Sequence, residues 1–224
     1  MKQFYTISIN PLAEFIKATD AGKKRIIKQQ KEPNPVRVSW YQLAKARMKK
    51  FLITKGDQHT IEDAIANLKS RKELSKRQLI DRQVSLEALE RFVKIQIPNV
   101  LKEDNITFHK IPTKTFSANG IDITVSPEII FSVTRDDKEH YGAIKLRVSK
   151  TKLFDTEQQT LIAALIYEYL KQNITNPIKV IEPDLCIFLD VFGDGFKTLT
   201  ANKVNYFAQN IHFIEEVKEY WHKA

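Results

Sequence analysis

The sequence of 224 residues predicts an α/β protein, with a mixed β-sheet flanked by helices and preceded by an all-helical N-terminal region. Before residue 104, apolar residues recur at helical spacing, whereas from Ile106 they alternate with polar residues as in β-strands. The near-continuous apolar run from Ile187 to Phe192 is typical of a central strand that is covered on both faces. We therefore expect a basic helical region over 1–104 and an α/β core over 105–224.

Capping residues and prolines divide the first region into four or five helices. A side-chain oxygen that accepts from a free backbone N–H favours a helix start, and a proline inside a helix ends it. Gly56 is well placed to end the third helix, and the fifth ends before Pro98. The expected helices begin, in order, at Asn10-Pro11, Thr19-Asp20, Trp40, Thr60 and Ser75.

The second region alternates strands with two further helices. Asp155 and Gln158 form a capping box that begins a strong helix, and a last amphipathic helix is expected from about Asn202 to Trp221. Because side chains alternate along a strand, Lys145 and Arg147 share one face. The expected strands cover 106–108, 121–125, 128–133, 143–148, 187–192 and 196–198.

Positive charge is concentrated in the first region. Residues 1–104 hold 22 Lys and Arg against 12 Asp and Glu, a balance of +10, whereas 105–224 hold 14 against 15. Such asymmetry is expected when one face meets a polyanion, although solvated lysine-rich helix faces would give the same count. The predicted nucleic-acid-binding residues are Lys23, Lys24, Arg25, Lys28, Lys45, Lys49, Lys50, Arg147 and Lys150.

Several classes of protein are excluded or disfavoured. No apolar run reaches the roughly 18 residues that span a bilayer, and no secretory signal is visible, so we expect a cytoplasmic protein without membrane contact. Cys186 has apolar neighbours and is expected to be a buried, inert thiol. The five histidines lack zinc-ligand spacing, and no glycine-rich phosphate loop, nucleophile elbow or dinucleotide fingerprint is present.

Three short segments follow one another in the second region: Gly120-Ile121-Asp122, then Ala143-Ile144-Lys145 after a hairpin, then the helix that begins at Asp155. This arrangement resembles the core of the PD-(D/E)XK nuclease superfamily. In that superfamily a strand carries an aspartate, the neighbouring strand carries an acidic-x-Lys triplet, and a helix follows. The resemblance implies a restriction-endonuclease-like core and a metal-dependent phosphodiester hydrolase.

The resemblance also implies roles for individual residues. Asp122 matches the metal-ligating aspartate, Lys145 matches the lysine near the attacking water, and Gln158 or Gln159 matches a glutamine of the helix. A glutamate from an upstream helix, expected over 85–96 and packed on the core, would complete the site. The candidates for that glutamate are Glu87 and Glu90, and the implied Mg²⁺ or Mn²⁺ would be held by Asp122 and Glu87.

The sequence departs from this pattern at Ala143, where an acidic residue is expected. Hard oxygen ligands are needed to hold Mg²⁺ or Mn²⁺, so the missing carboxylate weakens the site. Glu128 is a possible replacement, but six residues of extended strand would separate it from Asp122 by about 20 Å unless Pro127 bends the chain.

Each candidate also has an ordinary structural interpretation. Asp122 can be a turn residue, and Gln158 can be only the capping partner of Asp155. Lys145 can belong to an exposed strand face, together with Arg147. The upstream glutamates can form the solvated face of their helix.

Three functional hypotheses therefore remain open. The first is a metal-dependent nuclease, for which DNA is favoured over RNA as the expected nucleic acid. The second is a non-catalytic nucleic-acid-binding or scaffold component of a multi-protein assembly, for which the resemblance implies bacterial defence or DNA processing. The third is a protein-interaction role, with Trp40, Tyr41 or Trp221 as exposed anchors.

Overall fold

The computed structural model describes residues 5–33, 41–72, 75–110, 112–175, 178–193 and 195–224. Within these ranges it contains two mixed β-sheets flanked by helices. The strands are β1 Tyr5–Ser8, β2 Ile106–His109, β3 Thr115–Ala118, β4 Ile121–Thr124, β5 Ile129–Arg135, β6 Lys138–Arg147, β7 Lys179–Asp190 and β8 Gly195–Thr198. The helices are α1 Ile9–Phe15, α2 Asp20–Lys31, α3 Gln42–Ile53, α4 His59–Ser70, α5 Lys76–Phe92, α6 Thr156–Asn173, α7 Tyr206–Gln209 and α8 His212–Lys223.

The larger sheet has the strand order β2-β5-β6-β7-β8, so β6 is its central strand. β6 and β7 are parallel, and α6 forms the crossover between them, as parallel neighbours require. The other pairs in this sheet are antiparallel. The smaller sheet has the order β1-β4-β3, with β1 parallel to β4 and β3 antiparallel to it.

A tight hairpin fixes the register of β5 on β6. Asp136 and Asp137 form its two-residue loop, with φ of 48° and 57°. Asp tolerates this left-handed conformation, and a turn with two such residues matches the natural twist of the strands. The resulting register places Ile129 opposite Ile144.

Helices cover both faces of the larger sheet. One buried cluster joins α1, α2, α6 and α8 to Ala143 and Phe188, whereas the other joins α3, α4 and α5 to Ile144 and Ile187. Because neighbouring residues on a strand point to opposite faces, the two clusters lie on opposite sides of the sheet. The N-terminal helices are thus divided between the two faces. None of the helices in the described ranges combines the length and apolar composition that crossing a membrane requires.

Several local predictions are confirmed. Thr19, Ser75 and Asp155 are helix N-caps, and Ser75 and Asp155 both belong to complete capping boxes. Cys186 is buried, and burial raises the pKa of its thiol well above the usual value.

Trp221 is buried rather than exposed, since its indole packs edge-on against Tyr5. Trp40 lies outside the described residues.

Other local predictions are wrong, and each has a physical reason. The N-terminal region is not all helical, because β1 pairs with the distant strand β4. Thr60 does not cap α4, since the Asp57 carboxylate accepts from the N–H of His59 and from the Thr60 hydroxyl. The last helix is divided because Asn210 adopts φ −111° and ψ 19°, outside the α-helical region.

A buried ion pair joins the ends of β6 and β7. Arg147 Nη1 donates to Asp190 Oδ2 at 2.8 Å, and the two side chains are 5% and 1% exposed. Arg147 Nη2 donates to the carbonyls of Thr151 and Lys152, and the guanidinium lies 4.0 Å from the ring centre of Phe154. This pair therefore fixes both strand ends and the loop that leads to α6.

We expect Asp190→Asn to lower the free energy of unfolding by about 3 to 5 kcal/mol, because it leaves the Arg147 charge buried without a counterion. Urea denaturation followed by circular dichroism measures this change. Glu219→Gln, which removes the partner of Lys223 in an exposed pair, is the control and should change stability by less than about 1 kcal/mol. Equal effects of the two substitutions would contradict a structural role for the buried pair.

Candidate functional site

The structure does not bring Asp122 and Lys145 into contact. Asp122 is on β4 of the smaller sheet, where its carboxylate accepts a hydrogen bond from the Ser117 hydroxyl on β3. Lys145 is on β6 of the larger sheet. Ser126, with φ of 44°, lies in the connection from β4 to β5, so 121–133 is not a continuous strand.

The carboxylate that faces Lys145 belongs to Glu128. The N–H of Glu128 donates to the Ile144 carbonyl at 2.9 Å, which places this residue directly before β5 and beside β6. Lys145 Nζ lies 3.4 Å from Glu128 Oε1 and donates to the Ser126 carbonyl at 2.8 Å. Glu128 Oε2 accepts from the N–H of Leu146 at 2.7 Å. The strand register therefore creates a carboxylate–lysine pair.

Burial dominates the electrostatics of this pair. The Lys145 side chain is only 11% exposed, and desolvation lowers its pKa from the usual 10.5. The Glu128 carboxylate opposes this shift by raising the Lys145 pKa, whereas the charge of Lys45 on α3 lowers it. The ammonium of Lys145 thus depends on Glu128 for its stabilisation, and α3 contributes to the same electrostatic environment.

A groove of about 520 Å³ opens beside Glu128. We call it the basic groove because three exposed lysines line it and none of them has a carboxylate partner among the described residues. It combines those cations with apolar side chains and one carboxylate. Its lining residues are Lys49, His109, Lys110, Pro112, Lys114, Pro127, Glu128 and Ile130.

His109 is held in a fixed position in the basic groove. Its Nε2 lies 2.7 Å from Ser132 Oγ, and its ring stacks on Tyr141 with centroids 4.9 Å apart. Desolvation lowers the His109 pKa from 6.5. The charge of Glu139 raises this pKa, whereas the charge of Lys179 lowers it further. His109 is therefore mostly uncharged at neutral pH, and its flat ring is supported from one side.

The other residues implied by the resemblance have different partners. Glu87 forms an ion pair with Lys150, and Glu90 lies 3.9 Å from Lys69. Both glutamates line a separate cavity of about 430 Å³ between α5 and the end of β7. Gln158 is a capping residue whose side-chain amide also donates to the Ala13 carbonyl at 2.7 Å, so it is part of the buried framework. The side-chain amide of Gln159 donates to the Phe154 carbonyl at 2.8 Å.

The predicted nucleic-acid-binding residues do not form one surface. Lys24, Arg25 and Lys28 are exposed on α2, whereas Lys45, Lys49 and Lys50 are on α3, which packs on the opposite face of the sheet. The remaining three are engaged elsewhere, because Lys23 pairs with Glu216, Arg147 is buried with Asp190, and Lys150 pairs with Glu87.

The residues at Lys145 do not fit the Mg²⁺ or Mn²⁺ site that the resemblance implies. Such ions require several oxygen ligands, usually including carboxylates. Ala143 supplies none, Asp122 belongs to the other sheet, and both oxygens of Glu128 are engaged by Lys145 and Leu146. In the described part of the chain, no group of three His, Cys, Asp or Glu side chains is placed to hold a metal ion.

Sequence reasoning missed most of the basic groove. It considered Glu128 only as a partner of Asp122, and it did not select Lys110, Lys114 or His109. The usable signal was that Glu128 precedes a strand whose hairpin partner carries Lys145, so the short loop alone places the two side by side. No local signal indicates that α3 lies near this strand end.

The chain matches no protein-family model and no curated protein. Its function must therefore be inferred from the geometry of the site.

We expect Glu128→Gln to lower the pKa of Lys145 further, because the carboxylate raises this pKa against the effect of burial. The measurement is a pH titration by NMR of protein labelled with ¹³C at the lysine side chains. Lys179 is an internal reference, since its hydrogen bond to Tyr141 raises its pKa above 10.5 and should be unaffected. An unchanged Lys145 pKa in the variant would contradict the pairing described above.

Proposed function

We propose that the protein binds nucleic acid in the basic groove and does not itself hydrolyse the phosphodiester backbone. The observation that carries this proposal is the convergence of three exposed lysines on one concave surface, none with a carboxylate partner in the part of the chain that the structure describes: Lys49, Lys110 and Lys114. Lysine is a common phosphate ligand, and a cationic groove attracts a polyanion with little sequence preference.

Charge favours this groove over the second cavity. There, the lining holds two carboxylates, Glu87 and Glu90, and two cations, Arg91 and Lys94, so its formal charges cancel. The basic groove instead has three lysines against one carboxylate, so it attracts a phosphate more strongly. In the basic groove Glu128 is already neutralised by Lys145, which leaves the lysines of the rim available to phosphates.

The strand order supports a restriction-endonuclease-like core for this protein. α5 precedes the antiparallel strands β2, β5 and β6, and α6 then leads to the parallel strand β7. The resemblance requires a carboxylate on the strand beside the lysine strand, and Glu128 fits that position better than Asp122. We infer that Glu128 and Lys145 are the remnant of such a site.

The same residues argue against cleavage by this chain alone. Metal-dependent hydrolysis needs ligands that hold the ion and position a water molecule. Here a methyl group stands at Ala143, and the single carboxylate beside Lys145 is bonded to the backbone of Leu146. The second hypothesis, a non-catalytic nucleic-acid-binding protein, is therefore the one that the geometry supports best.

We expect the combined substitution of Lys49, Lys110 and Lys114 by alanine to weaken nucleic-acid binding, because three phosphate contacts are removed. The slope of log affinity against log salt concentration should become shallower by about 2 to 3. Fluorescence anisotropy with labelled DNA and RNA oligonucleotides between 50 and 200 mM salt is the measurement.

The matched control replaces Lys24, Arg25 and Lys28 by alanine, which removes the same net charge from the α2 surface. A larger loss in this control than in the groove variant would contradict the proposed location. Incubation of each oligonucleotide with the protein and Mn²⁺, Mg²⁺ or EDTA tests whether the protein cleaves the backbone. Metal-dependent cutting that is lost in Glu128→Gln would overturn the proposal that it does not.

A further inference from the structure

We propose that the basic groove takes an unstacked base of a single-stranded nucleic acid, with the neighbouring phosphates on its lysine rim. This inference rests on the proposed function and specifies the class of nucleic acid. It follows from the apolar residues of the lining, the supported imidazole of His109 and the position of Glu128.

The apolar part of the groove lining suits an unstacked base better than a duplex backbone. Pro112, Pro127 and Ile130 contribute apolar surface beside the cations. A duplex presents phosphates and sugars to a protein and keeps its bases stacked, so it would leave this surface unused. A single strand can turn an unstacked base towards the apolar residues, while its backbone stays near the lysines.

His109 provides the stacking surface. Its ring packs on Tyr141 and is bonded to Ser132, so little conformational freedom is lost when a second flat ring packs on it. Stacking of bases on aromatic and histidine rings is the usual way in which proteins hold single strands. Because burial lowers the His109 pKa, the ring is suited to stacking rather than to phosphate binding at neutral pH.

Glu128 sets the orientation of the bound strand. Its carboxylate lines the groove, and each of its oxygens has a lone pair left beyond the contacts with Lys145 and Leu146, so it can accept a hydrogen bond from the amino or imino group of a base. The phosphates are attracted instead to the exposed lysines Lys49, Lys110 and Lys114. A volume of about 520 Å³ falls within the range of pockets that enclose small organic molecules, about 300 to 1,000 Å³.

Three ligands of equal length separate the contributions of base and phosphate. They are a 20-nucleotide single strand of mixed sequence, the same sequence as a duplex, and a 20-nucleotide strand of abasic sites with the same phosphates. We expect the single strand to bind at least about tenfold more tightly than the other two, since each stacked base contributes substantially to affinity.

Two variants of one residue test the stacking surface. His109→Ala should bind the mixed single strand about tenfold more weakly and should bind the abasic strand as the wild type does. His109→Phe keeps a flat ring and should retain most of the base-dependent affinity. His59→Ala, at an exposed histidine on α4, is the matched control and should have no effect. Circular dichroism verifies the folding of each variant.

The possible outcomes are distinct. Equal affinity for the single strand, the duplex and the abasic strand would overturn this inference and leave the proposed function intact. Absence of binding to all nucleic acids at low salt would overturn both. If His109→Ala fails to fold, the abasic strand and His109→Phe still decide the question, and loss of discrimination between the mixed and abasic strands in His109→Phe would count against the stacking role.

Discussion

The structure depends on the burial of two cations on its central strand. β6 is covered by helices on both faces, yet it carries Lys145 and Arg147. An unpaired charge in such a position is strongly destabilising, so each cation needs a carboxylate. The neighbouring strands supply them from opposite sides, because Glu128 stands directly before β5 and Asp190 ends β7. Both neighbours are thereby tied to one register on the central strand.

The two ion pairs differ in their access to solvent. One is enclosed and only structural, whereas the other lies at the basic groove. Arg147 is enclosed by Asp190, two backbone carbonyls and the ring of Phe154. Lys145 is also buried, but its partner Glu128 is 18% exposed and lines the basic groove. The first pair can only hold the fold together, whereas the second presents a carboxylate to the basic groove.

The parts of this architecture that local chemistry determines could be predicted from the sequence. The capping box at Asp155 and the polar hairpin between β5 and β6 are examples, since neighbouring residues supply all the interactions involved. The pairing of β1 with β4 could not be predicted, because its partner lies far along the chain. The position of Asp122 on the smaller sheet, away from Lys145, could not be predicted for a related reason. Ser126 adopts a left-handed backbone conformation in the connection between the two sheets. No sequence signal indicates this conformation in a non-glycine residue.

The most direct test of the account is to map the surface that a single-stranded oligonucleotide contacts. Amide chemical shifts of ¹⁵N-labelled protein, followed by NMR during titration with a mixed-sequence single strand, report this surface residue by residue. The account predicts saturable shifts around Lys49 and over 108–110, 112–114 and 126–130, which line or adjoin the basic groove. Shifts confined to the α2 surface around Arg25, with the groove unaffected, would contradict it.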